Sequence, residues 1–134
     1  MLEHVFDPDD FLKEINRVMK PGGKLLITVP FVWDEHEQPY DYARYSSFGL
    51  EYLLKKIGFE IINSHKTARN ISVIFQLINM YIYKVLSFNL ITKLLSLVLI
   101  APFNILGIIL SVLLPDNNDL YLDNVIIVKK KNHV

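Results

Sequence analysis

The chain has 134 residues, 14 of them basic and 14 acidic, and no cysteine. That length supports one modest domain with a real core. Balanced charge gives no global field to draw the chain to nucleic acid, and the missing thiols exclude disulfides, cysteine nucleophiles and cysteine-based zinc sites, in keeping with a reducing compartment.

Met1 is followed by the acidic, polar stretch Glu3 to Asp10 rather than by a basic and then apolar run, so no secretory leader is expected. Asp7-Pro8 reads as a helix N-cap with proline in the first turn. Phe11, Leu12, Ile15, Val18 and Met19 then recur at helical spacing, predicting a helix over 8–20. Pro21-Gly22-Gly23 stops it in a tight turn. Lys24 to Pro30 is a short apolar run of strand formers. Helix, glycine turn and buried strand form the second half of a βαβ unit and suggest a parallel sheet with 24–30 at its centre.

Residues 31–45 are aromatic and charged without a period and read as a loop beyond the carboxyl end of that strand. Open α/β sheets place ligand crevices at this edge. Ser46 or Ser47 then caps a helix carrying Leu50, Leu53, Leu54 and Ile57, which Gly58 ends. Phe59 to Lys66 is expected to be a strand. Tyr121 to Lys130 is expected to be another, antiparallel to 59–66.

Between these last strands the composition changes. Residues 1–70 hold 9 basic and 11 acidic side chains, whereas residues 71–115 hold only Lys84 and Lys93. The expected organisation is therefore an α/β part over 1–70, an apolar helical insertion over 71–115, and a final strand with a basic tail over 116–134. In the insertion, Gln76, Asn79, Tyr83 and Ser87 form one narrow polar stripe. Asn89, Lys93 and Ser96 form a second, and Asn104, Gly107 and Ser111 a third. Three helices with wide apolar faces fit this, broken near Asn89 and Pro102. Three readings stand: a soluble cap, helices lying in a membrane surface, or a span. Leu94 to Leu114 is 21 residues without a charge, long enough to cross a bilayer. No acidic residue lies between Glu60 and Asp116, which suits anionic lipid. Membrane contact ranks first, and a single clean span ranks last because both flanking strands belong to one sheet.

The segment from Leu2-Glu3-His4 through Lys20-Pro21-Gly22-Gly23 to Pro30 resembles the second half of a class I, S-adenosylmethionine-dependent methyltransferase of type 11-like, Rossmann-like fold. So do His36-Glu37, Pro39-Tyr40-Asp41-Tyr42 and Arg44-Tyr45, ahead of Gly58-Phe59-Glu60, and the closing strand Asn124 to Lys130. The strand, glycine-rich loop and ribose-binding acidic residue that open such a fold do not occur in the sequence. The resemblance thus implies the C-terminal half of the sheet with an inserted apolar helical segment. S-adenosylmethionine would be held only together with an N-terminal half, and the chain alone would be inactive. The alternative is a non-catalytic, membrane-associating remnant or one half of a split enzyme.

On this resemblance Glu3 and His4 lie beside the methionine part of the cofactor. Methyl transfer needs an acceptor held in line and sometimes a base. His36 titrates in a useful range and is the candidate base, with Glu37 or Asp41 to orient it. Glu37, Tyr40, Asp41, Arg44 and Tyr45 are the candidate substrate-binding residues, Arg44 for an anionic acceptor. The structural alternative is a salt-bridged loop packing its tyrosines over the sheet edge. His36, Glu37 and Asp41 also offer a metal set, but one histidine with carboxylates on a loop is too sparse, so no metal is expected. His65 and His133 have no recognisable partners and are expected in solvent. The expected partners are a small or lipid-linked acceptor and a membrane surface, with the protein otherwise cytoplasmic.

Overall fold

A computed structural model describes residues 1–131; His133 and the end of the basic tail lie outside the described residues. The chain divides into two units. One holds Met1–Thr67 and the chain from Leu122 onward, and the other holds Ala68–Tyr121.

The first unit is α/β. A single turn at Leu2–His4 precedes α1 (Pro8–Val18), β1 (Lys24–Pro30), α2 (Ser47–Ile57), β2 (Phe59–Lys66) and β3 (Asp123–Lys130). Local chemistry sets the helix ends. Asp7 accepts the Asp10 amide and Pro8 fills the first position of α1. Ser46 accepts the Gly49 amide at the start of α2, and Gly58, at φ 99°, closes it in the left-handed conformation. Lys130 adds a long-range cap: its buried Nζ donates to the carbonyls of Asn16 (2.6 Å) and Met19 (2.9 Å) at the end of α1.

The sheet order is β1-β3-β2, and β3 runs antiparallel to both neighbours. This corrects two sequence expectations, that the sheet is parallel and that 24–30 is its central strand. β1 is an outer strand and β3 the middle one; the expected antiparallel pairing of β3 with β2 is found. Composition alone did not separate the two strands, since both are β-branched and apolar, but β3 is paired along both edges. A register shift between Ile61 and Asn63 bulges β2 around Ile62. On one sheet face Val29, Ile126 and Val128 pack with Leu12 of α1 and with Leu50 and Leu54 of α2. Leu26 and Ile62 stay exposed. His65 is exposed, as expected.

The second unit is a helical hairpin of α3 (Ser72–Leu86) and α4 (Leu90–Leu113). Asn89 breaks the helices as expected, and its side chain forms a reciprocal cap with Thr92. The expected break at Pro102 is absent: α4 runs through it, so there are two helices rather than three. Proline removes one backbone donor, and the helix on both sides, Leu90–Ala101 and Phe103–Leu113, is long enough to hold the geometry. The ends of the hairpin meet, with Arg69 paired to Asp116 at 2.9 Å and the Asn117 amide on the Arg69 carbonyl at 2.8 Å.

The hairpin buries polar or small residues beside one valine, Val73, and leaves most of its large apolar side chains outside. Its buried polar or small side chains are Asn79, Ser96 and Gly107, and Asn79 bonds to Asn104. A Cβ on Gly107 would meet Phe75 Cγ at 2.9 Å, so glycine there permits the close approach. Most of the large apolar residues of α4 are exposed, from Leu90 and Ile91 to Val112 and Leu113.

Candidate active site

β1 delivers the chain at Pro30 into the loop 31–45. Phe31 and Val32 donate backbone hydrogen bonds to the Leu122 carbonyl, and Tyr45 donates back to the Pro30 carbonyl at 3.1 Å. The amides of Tyr42 and Ala43 both donate to the Glu3 carbonyl. These bonds fold the loop over the turn Leu2–His4 and bring residues far apart in sequence into one place.

Asp41 organises the loop. Its side chain is 4% exposed and accepts hydrogen bonds from both Arg44 terminal nitrogens and from the His36 amide. Arg44's bonds hold the Asp41 carboxyl far below the usual carboxylate range, against the effect of burial. Arg44 also donates to the carbonyls of Asp34 and Ala43, so its donors are turned onto the loop itself. The His36 ring, half-buried, places Nδ1 3.1 Å from the Asp34 carbonyl and 3.5 Å from Asp41 Oδ2. Of the two carboxylates considered for orienting His36, Asp41 is the one beside it; Glu37 is exposed at φ 53°.

His36 meets His4 edge to face at 4.7 Å between ring centres. His4 Nδ1 lies 2.9 Å from the Tyr40 carbonyl, so Tyr40 contributes its backbone while its side chain is exposed. His4 Nε2 is 3.5 Å from Glu3 Oε1, and the Met1 ammonium is 2.7 Å from Glu3 Oε2. Burial is the largest influence on the Glu3 carboxyl and raises its pKa. The Met1 ammonium, the backbone amide and His4 outweigh it together, so the net shift is downward and Glu3 is ionised at neutral pH.

Tyr45 is drawn elsewhere. Its ring packs on the core, where burial first and then Glu3 and Asp9 raise its hydroxyl pKa, and it lines a cavity with Pro8, Gly49 and Tyr52. The His36 cavity is a separate space of about 280 Å³, lined by Glu3, Pro30, Trp33, His36, Leu122 and Asp123. Trp33, Leu122 and Asp123 were not foreseen as site residues. The single tryptophan was a usable signal. Nothing local marks Leu122 and Asp123, which arrive because Asp123 pairs with Pro30 across the sheet.

Residues 1–27 match a family model described as a methyltransferase domain. A comparison with curated proteins finds no match. Among solved structures, phosphoethanolamine N-methyltransferase 2 of Haemonchus contortus, in complex with S-adenosyl-L-methionine, is similar at TM-score 0.56 and 20% identity over 98% of this chain. The same enzyme with phosphomonomethylethanolamine and S-adenosylhomocysteine is similar at TM-score 0.54 and 19% identity over 98% of this chain. The fold is similar to the part of these methyltransferases that the chain covers. The [4+2]-cyclase SpnF is also similar, at TM-score 0.52 and 16% identity over 99% of this chain. The chain spans about a third of the Haemonchus enzyme, 32% in each structure, and 47% of the cyclase.

The solved structures of this fold named above hold S-adenosyl-L-methionine or S-adenosylhomocysteine, and one group among the described residues suits the charge of such a ligand. Glu3 is an ionised, buried carboxylate that already accommodates a positive group at Oε2, which fits the cationic methionyl end of S-adenosylmethionine. None of the glycines forms a cradle for the rest. Gly22 and Gly23 make the turn before β1, where a Cβ on Gly23 would meet the Lys20 carbonyl at 2.9 Å, and Gly49 and Gly58 belong to α2.

Proposed function

We propose that this chain forms the acceptor side of an S-adenosylmethionine-dependent methyltransferase acting on a small or lipid-linked acceptor at a membrane surface. One observation carries the reading: the loop after β1 folds over Leu2–His4 and sets His36 beside the Glu3 carboxylate at the carboxyl edge of the sheet. The cofactor supplies an electrophilic methyl group on sulfur. Glu3 holds its positive end, with His4 alongside. The 280 Å³ cavity at Trp33 takes the acceptor, and His36 faces it as the general base. Asp41, Arg44 and Tyr40 hold the loop in shape, and Glu37 stands at its exposed rim.

The sequence led to the expectation that S-adenosylmethionine is held only together with an N-terminal half; on the present reading the Glu3 and His36 side of the site gives this chain weak binding of its own, so the test uses high ligand concentration. In a ¹⁵N-labelled chain held in bicelles, S-adenosylhomocysteine should shift the amides of Glu3, His4 and residues 31–45 and leave α3 unaffected. An unperturbed spectrum overturns the reading.

The hairpin supports the membrane part. α4 is 24 residues, about 36 Å, and carries one charge, Lys93, near its start. A soluble hairpin shows polar faces; this one turns most of its large apolar side chains outward and buries Asn79, Ser96 and Gly107 beside Val73, which suits helices packed in lipid. Its ends are paired to each other, so it enters and leaves from one side. In flotation with liposomes the chain should rise with the lipid, more completely when anionic lipid can attract Lys84 and Lys93. A monodisperse monomer left in the soluble fraction in both cases overturns it.

A further inference from the structure

The sequence offered only His36, Glu37 and Asp41 as a metal set. The fold assembles a different one. Glu3, His4 and His36 each bring a donor atom, and these atoms lie within 4.8 Å of one another. Two imidazole nitrogens and one carboxylate oxygen are the ligands of zinc hydrolase sites and of non-haem iron sites, not of magnesium or calcium, which take oxygens.

Three features go beyond proximity. First, both histidines are set in the tautomer that a metal needs. His4 Nδ1 meets the Tyr40 carbonyl at 2.9 Å and His36 Nδ1 meets the Asp34 carbonyl at 3.1 Å. A carbonyl accepts only, so each Nδ1 carries a hydrogen, and in the neutral ring the lone pair is then on Nε2, where a metal binds. Outer carbonyls of this kind orient metal-binding histidines. Arg44 Nη2, 3.5 Å from His36 Nδ1, does not compete, because it donates to the Asp34 carbonyl at 2.7 Å and to Asp41 Oδ2 at 2.6 Å. Second, the Glu3 side chain is 9% exposed, and its Oε1 lies 3.5 Å from His4 Nε2. Oε2 is paired with the Met1 ammonium at 2.7 Å, which leaves Oε1 as the carboxylate donor turned toward His4. Third, Glu3 and His36 line the same cavity with Trp33, which leaves room for further ligands.

We propose that Glu3 Oε1, His4 Nε2 and His36 Nε2 bind one divalent transition-metal ion of the zinc class, with its open positions toward the cavity at Trp33. Donors around a metal at 2.0–2.1 Å stand about 3.3 Å apart, so the set draws in by about an ångström on loading. Asp41 neutralises Arg44 and keeps its charge from opposing the ion. The open positions suit an acceptor with an ionisable oxygen; that ligand class rests on the methyltransferase reading, whereas the metal binding does not. His36 Nε2 cannot be both ligand and free base, so a loaded site removes the base role.

The test titrates the full chain with Co²⁺, whose visible absorption reports coordination, and then displaces it with Zn²⁺. One Co²⁺ should bind per chain, and wild-type His4 and His36 ring protons should broaden in its presence. His4→Gln and His36→Gln should each weaken binding by more than about tenfold. His65→Gln should not. Binding that His36→Gln leaves unchanged, or none below millimolar Co²⁺, overturns the site. A metal-free chain that responds to S-adenosylhomocysteine but never binds Co²⁺ sinks the metal site alone. One that binds Co²⁺ and ignores S-adenosylhomocysteine keeps the site and loses the methyltransferase reading.

Discussion

Asn79 Nδ2 donates a hydrogen bond to Asn104 Oδ1 at 2.6 Å across the seam between α3 and α4. Removing one partner leaves the other unpaired among apolar neighbours. Asn79→Ala should destabilise the hairpin by about 1 kcal/mol in a bilayer-like medium, and with Asn104→Ala the two losses should be sub-additive. Thermal unfolding of the four chains in bicelles measures this. Strict additivity would show that the two side chains are not coupled.

The second prediction concerns acid. Asp41 has a folded pKa below its ordinary value of 3.8. A depressed carboxyl stabilises the fold fully above the unfolded value, and the contribution disappears as pH falls toward the folded value. Wild-type loop stability should therefore fall from about pH 5 downward, and Asp41→Asn, already weaker at neutral pH, should show a shallower acid limb. Trp33, the only tryptophan, reports the loop by fluorescence. Parallel acid limbs in the two proteins would refute the assignment.

Gly58 ends α2 at φ 99°, and a Cβ added there would meet only Asn16 Nδ2, at 4.0 Å. The cost of a side chain there is conformational rather than steric. Gly58→Ala should destabilise the α/β unit by about 1 kcal/mol, and Gly58→Asn by less, because asparagine tolerates the left-handed region. Circular dichroism melts compare the three. Alanine as stable as glycine would count against the cap.

Lys130 closes the end of α1 from the last position of β3. Lys130→Met keeps the apolar stem and removes the donor, leaving the Asn16 and Met19 carbonyls without it. A loss of about 1–3 kcal/mol is expected, with faster amide exchange in the last turn of α1. Unchanged exchange there would show that water replaces the ammonium at no cost.

The contrast between these residues explains what the sequence disclosed. Asp7, Ser46, Gly58 and Asn89 act on backbone within a few positions, so their roles were legible. The place of β3 was not, because β1 and β3 have the same kind of residues and only tertiary pairing distinguishes them. Pro102 misled, since a proline that ends a short helix is tolerated inside a long one. At the site, the density of polar and aromatic residues in 31–45 was visible. The choice of Asp41 over Glu37 was not, because it depends on Arg44 folding back onto the loop. The meeting of His4 with His36 depends on backbone bonds from Tyr42 and Ala43 to the Glu3 carbonyl, which no spacing rule encodes.

β3 is the middle strand of the sheet and the last of its three strands in chain order. Until it leaves the ribosome, β1 and β2 have no strand partner among the described residues, whereas α3 and α4 can close on each other as soon as Leu113 is free. At about 5–20 residues per second, the hairpin precedes the end of β3 by roughly one to three seconds. If the hairpin enters a bilayer as proposed, the order of synthesis favours its delivery first, with the α/β unit condensing afterwards on a chain already tethered.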